Sequence, residues 1–182
     1  MKVVRLCSCF ATCLILAFSA NTSNAQQTAP NPYAAACGPT EANFTVKHAP
    51  STGNATHPPA GKALVYIIEM MPPSSLYTAK VNIGLDGVWL GATDGMTHIS
   101  FAVDPGPHHL CSVYQGKALL LDENSRTLLL HLDAKAGHIY YIRYHATFWR
   151  EYPGIASFEP VDEDEGPFLV QRTEEATSTL KK

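Results

Sequence analysis

Apolar residues in this chain come in short alternating or continuous runs broken by glycine, proline and aspartate, and no long stretch keeps the 3.6-residue period of an amphipathic helix. Val81, Ile83 and Leu85 alternate with Asn82 and Gly84, the period of two of a half-buried strand. Asp86-Gly87 follows, a pair suited to the two positive φ angles of a type I′ hairpin turn. Closing that turn pairs Leu85 with Val88 and Ile83 with Leu90, so that with Val81 five apolar side chains share one face. Trp89 then lies opposite Gly84 on the other face. A second hairpin is predicted beyond Thr93-Asp94-Gly95, with Ile99, Phe101 and Val103 at alternate positions, a turn at Asp104-Pro105-Gly106-Pro107 and a return over residues 108–114. A two-residue loop sets Leu110 beside Phe101 and turns Cys111 to the opposite face. A bulged loop reverses that assignment, and the pattern fits both.

Residues 63–70 form a near-continuous apolar run, the mark of a central strand covered on both faces. Residues 127–132, 138–147 and 155–161 read as further strands, the second rich in aromatics, with a turn at Ala134-Lys135-Ala136-Gly137. Acids at 162–165, then Pro167, Phe168, Leu169 and Val170, predict a short helix with its negative charge at the favourable end. The expected fold is all-β: a single immunoglobulin-like or PEGA-like antiparallel β-sandwich over residues 62–171, with a short C-terminal helix and a frayed tail at 172–182.

Ahead of the domain lie two segments of different character. Residues 1–25 read as a secretory signal, with Lys2 and Arg5, an apolar centre over 6–18 and the small-residue site Ser23-Asn24-Ala25. The apolar run falls short of the roughly 20 residues of a spanning helix, so a cleaved leader is expected rather than a retained anchor. Residues 26–61 form an arm rich in proline, alanine and threonine, with a short strand near Asn43-Phe44-Thr45-Val46. Asn43 and Asn54 stand in N-x-T sequons, which matter only in a glycosylating host.

Loss of the leader changes two counts. Of the five cysteines, Cys7, Cys9 and Cys13 depart, leaving Cys37 and Cys111 as an expected disulfide that ties the arm to the domain. Of 13 basic residues, Lys2 and Arg5 depart, so 11 stand against 16 acidic ones and the net charge moves from −3 to about −5. That balance argues against a nucleic-acid partner, which calls for a basic surface.

The motifs GKALVYIIEM, VNIGLDGVWLGA, FAVDPGPHHLC, AGHIYYIRY and VDEDEGPFLV, in that order over about residues 37–171, resemble an uncharacterised bacterial family, domain-of-unknown-function family 2846. The DG-W-x-G and PG-x-H-x-L elements are also similar to PEGA-type surface modules. The resemblance implies an exported, periplasmic or lipid-anchored β-sandwich with no established activity and no catalytic residues to carry over. This chain departs from a lipid-anchored pattern, because Ala11-Thr12-Cys13 matches a lipidation box only loosely and apolar residues continue past it.

Six histidines fall in the domain: His98, His108, His109, His131, His138 and His145. His108 and His109 point to opposite faces of one strand, while His131 and His138 flank a turn and are the best-placed metal pair. Without HxH or HExxH spacing, no metal site is expected over scattered strand histidines. No GxSxG elbow, phosphate-cradling glycine loop or dinucleotide fingerprint occurs, so neither catalysis nor a cofactor is expected. On the aromatic strand one set of alternate residues should enter the core. The other, Tyr141, Arg143, His145 and Trp149, is the candidate binding surface. The expected function is an exported, non-catalytic module that binds another cell-envelope protein or peptide. The alternative is a metal-binding protein or metal-dependent enzyme built on the histidines. N-terminal sequencing of the mature protein should begin at Gln26; a chain still starting at Met1 would contradict the cleaved leader.

Overall fold

A computed structural model describes residues 36–37, 42–51, 57–71, 80–115, 127–147 and 155–181. The leader, most of the arm and Trp149 lie outside the described residues. The elements of known bounds among the described residues are, in chain order, β1 (Phe44–Ala49), β2 (Ala63–Glu69), β3 (Lys80–Leu85), β4 (Val88–Asp94), β5 (Thr97–Val103), β6 (Gly106–Gln115), β7 (Thr127–Ala134), β8 (Ile139–Thr147), β9 (Ile155–Val161), α1 (Glu165–Gln171) and β10 (Glu174–Leu180). They form a six-stranded sheet ordered β1-β10-β5-β2-β8-β9 and a four-stranded sheet ordered β4-β3-β6-β7, the two leaves of a sandwich. The β2–β8 and β10–β5 pairings are parallel and the rest antiparallel, so the all-β sandwich expected from the sequence forms from antiparallel-rich sheets with two parallel joints.

Every residue of β2 is buried. Ala63, Val65 and Ile67 point between the sheets, where Val81, Ile83, Leu110, Leu132, Ile142 and Tyr144 meet them. Leu64, Tyr66 and Ile68 point outward and are covered by Leu169 and Val170 of α1. Asp162 Oδ1 accepts hydrogen bonds from the backbone N–H groups of Asp164 (3.0 Å) and Glu165 (2.7 Å), which starts the helix.

The first hairpin forms as the pattern requires. Asp86 (φ 49°) and Gly87 (φ 81°) make the turn, Leu85 pairs with Val88, and Trp89 stands opposite Gly84. The register then slips, because Ile83 faces Gly91 and Leu90 becomes the extra residue of a bulge. The expected Ile83–Leu90 pair is therefore absent. Val88 and Leu90 stand exposed, while Val81 and Ile83 remain buried.

The second hairpin does not form. β5 pairs with β2 and β10 in one sheet, and β6 pairs with β3 and β7 in the other. The turn-like segments at 94–96 and 104–105 are corners where the chain crosses the sandwich, and Leu110 pairs with Leu85 and Leu130 rather than with Phe101. Tight turn chemistry serves a sheet-switching corner as well as a hairpin. The tail expected to fray is a second correction. β10 inserts between β1 and β5, pairing with β1 from Phe44–Leu180 to Ala49–Glu175.

Cys37 and Cys111 form a disulfide across 74 residues, with Cα atoms 5.4 Å apart. It lies on Gly84, where an added Cβ would stand 3.0 Å from Cys37 Cα, 3.1 Å from Cys111 Sγ and 3.2 Å from the Ala36 carbonyl oxygen. The bare glycine thus receives the disulfide, with Trp89 packed at its flank. Closing a loop of that length stabilises the fold by about 4 kcal/mol in the chain-entropy model. Replacing both cysteines by serine should lower Tm by roughly 10–20 °C for a domain of this size. Calorimetry of the double variant checks this, and an unchanged Tm would show that the bond constrains nothing that folding must order.

Candidate functional site

The aromatic strand splits between faces by parity. Tyr140 and Tyr144 turn toward the inter-sheet core, Tyr144 being 1% exposed and Tyr140 packed at the core's margin. On the other face, Tyr141 is buried as well, because α1 lies over it. Its ring stacks on Tyr66 with centroids 5.3 Å apart, and a Cβ at Gly166 would run into it. Arg143 is not open to a ligand either. Its Nε and Nη2 donate to Glu159 Oε2 (3.1 and 2.8 Å) and its Nη1 donates to Glu165 Oε1 (2.7 Å), latching β9 to the start of α1. The Glu159 hydrogen bond and charge, aided by Glu165, hold the guanidinium protonated beyond its ordinary range. Only His145 of the predicted surface is exposed among the described residues, with Nδ1 3.4 Å from Thr147 Oγ1. Of the three described members of that predicted surface, Tyr141 is covered, Arg143 is engaged by two carboxylates and His145 is open, while Trp149 lies outside the described residues.

A shallow cleft of about 380 Å³ opens beside this helix–sheet contact, lined by His57, Gly137, His138, Ile139, Tyr141 and Glu163. Burial, with help from Tyr66 and Glu163, pushes the Tyr141 hydroxyl above its ordinary range and keeps it neutral.

The candidate metal pair His131 and His138 does not assemble. β7 and β8 belong to different sheets, so the turn between them is another crossing and not a hairpin end. His138 Nδ1 lies 3.2 Å from the Ala136 carbonyl oxygen, whereas His131 faces His109 across the β6–β7 ladder. His108 and His109 do diverge. His108 Nδ1 lies 2.6 Å from Asp86 Oδ2 and its Nε2 lies 2.7 Å from the Asp104 carbonyl oxygen, clamping the β3–β4 turn to the β5–β6 corner. Partial burial opposes charge on this ring, but Asp86 and the Asp104 carbonyl outweigh it and raise the pKa. Two acceptors at its two nitrogens suit the imidazolium form. No group of three or more His, Cys, Asp or Glu side chains stands ready to hold a metal ion among the described residues.

Glu69 is the titratable group that the sequence pattern concealed. It ends the apolar run at the inward parity of Ala63, Val65 and Ile67, and is 0% exposed. Neither carboxyl oxygen has a hydrogen-bond partner. Burial pushes its pKa up to about 8, with Asp94 adding to the shift; the Thr93 hydroxyl and the Gly95 backbone oppose it without reaching bonding geometry. Glu69 is accordingly a neutral acid at pH 7. Burial raises the neighbouring hydroxyls of Tyr114 and Tyr144, and the charge Glu69 would carry raises them further.

Exposed apolar side chains occur on α1 (Phe168), on β10 (Leu180) and on three strands at sheet edges. Val88 and Leu90 on β4, Leu129 on β7 and Ile155 on β9 are exposed apolar side chains, and all three strands end a sheet. Comparison with protein families, with curated proteins and with solved structures finds no match to this chain.

Because Glu69 is protonated when folded and ionised when unfolded between pH 4.5 and about 8, stability should fall across that window, by up to ~1.4 kcal/mol per pH unit. Denaturant titrations at several pH values check this. Glu69→Gln should remove the slope; an identical slope in the variant would assign it to another group.

Proposed function

We propose that the chain is an exported, non-catalytic binding module, and that its partner, an extended segment of another cell-envelope protein or peptide, adds as a strand to β7. The observation that carries this reading is how the four sheet edges are finished. β1 carries Lys47 at its edge, β4 contacts a ladder broken by a bulge, and β9 contains Pro160. Each of these devices discourages a further strand from pairing. β7, with the sequence TLLLHLDA, has no proline, lysine or bulge, and stays in register with β6 over eight pairs from Gly106–Ala134 to Val113–Thr127. Among the described residues no strand pairs with its other side.

Such an edge offers backbone donors and acceptors for affinity, with alternate side chains for specificity. On the outer face these are Leu129, His131 and Asp133, all exposed. An incoming strand with an apolar side chain near Leu129 and a polar one near Asp133 would complement them. The leader-like residues 1–25 and the Cys37–Cys111 disulfide support placement in an oxidising, exported compartment. The resemblance of the DG-W-x-G and PG-x-H-x-L elements to PEGA-type surface modules supports the same setting.

Site-specific photocrosslinking in cells tests the reading. A photoreactive residue at Leu129 should give a discrete adduct with one envelope protein, while the same group at Val88 or Ile155 should not. No adduct from Leu129, or equal adducts from all three edges, would overturn it.

A further inference from the structure

We propose that His109, His131 and Asp133 form a surface chelate for a first-row divalent cation, closing on the outer face of the β6–β7 ladder. His109 and His131 are directly opposed across the two strands, both are exposed, and their ring centroids stand 5.4 Å apart at an interplanar angle of 69°. Asp133 lies two residues beyond His131 on the same strand face, with Oδ1 3.3 Å from His131 Nε2. That separation is about 3.3 Å, the edge of a tetrahedron whose metal–ligand bonds are ~2.0 Å long. A cation can therefore replace the His131–Asp133 contact without drawing the two ligand atoms together or apart.

The third ligand needs only a side-chain movement. The His109 backbone N–H is fixed by Asp86 Oδ1 at 2.8 Å, which anchors the main chain while the exposed ring turns toward the ion. The site is not preformed, in keeping with the lack of a ready three-ligand cluster. Two imidazoles and one carboxylate suit zinc or copper(II), with water completing the coordination. The cation and an added strand would share His131 and Asp133, but the chelate needs only side chains and makes no use of the free backbone edge of β7.

The test is calorimetric titration of zinc chloride into the full chain, with free thiols alkylated and the disulfide kept. One zinc per chain should bind with micromolar affinity. His109→Ala and His131→Ala should each weaken binding by 10-fold or more, and Asp133→Asn by a smaller factor. His138→Ala should leave binding unchanged. Zinc should also raise Tm in the parent chain and in His138→Ala but not in His109→Ala, since the ion ties β6 to β7 only through that imidazole. No saturable binding, or the same affinity after His109→Ala, would overturn the proposal. Unchanged metal-free Tm values in the variants show that any loss is not misfolding.

Discussion

The burial of β2 on both faces is the constraint on which the rest of the molecule depends. A strand with Val65 and Ile67 on one side and Leu64, Tyr66 and Ile68 on the other cannot belong to a simple two-layer sandwich, in which one face of each sheet meets water. A third layer has to cover the outer side chains, and α1 supplies it with Leu169 and Val170. Covering β2 also covers its neighbour β8, so Tyr141 is enclosed along with Tyr66. Arg143 then serves to hold the cover in place through Glu159 and Glu165. Stabilising the centre of the six-stranded sheet thus takes Tyr66 and Tyr141 out of solvent.

The opposite sheet is organised by a different closeness. Gly84 lets the disulfide sit against the middle of β3, and the Ala36 carbonyl oxygen accepts from the Gly87 N–H at 3.2 Å. The arm, the first hairpin and β6 are consequently one unit. His108 extends it by joining the Asp86 turn to the Asp104 corner, where Lys62 also pairs with Asp104 at 2.8 Å. A single exposed turn therefore binds the entrance of β2, the hairpin and the β5–β6 crossing.

Much of this was legible in local pattern. Alternation over 81–85, the Asp-Gly turn, the continuous run of β2 and the acid-led helix each follow from side-chain period and turn chemistry. What stayed hidden was non-local. The corners at Asp94 and Asp104 carry hairpin-like residues, and only the pairing of β5 with β2 shows that the chain leaves one sheet for the other. The sequence of β10, EEATSTL, is polar and weakly patterned, and it becomes a strand because β1, more than 120 residues earlier, lies beside it. For the candidate surface, parity placed Tyr141, Arg143 and His145 on one face correctly. It carried no information on what would cover them. Glu69 was masked by its apolar neighbours, and His131 found its partner across β6 instead of across the turn to His138.

The central claim is that β7 presents an open, pairing-competent edge. Residue-resolved amide hydrogen exchange on the free protein tests it most directly. The account predicts alternation along residues 127–134, with amides bonded to β6 protected and those facing outward exchanging at close to unprotected rates. Uniform protection along the strand would mean that the edge is already occupied, and would contradict the account.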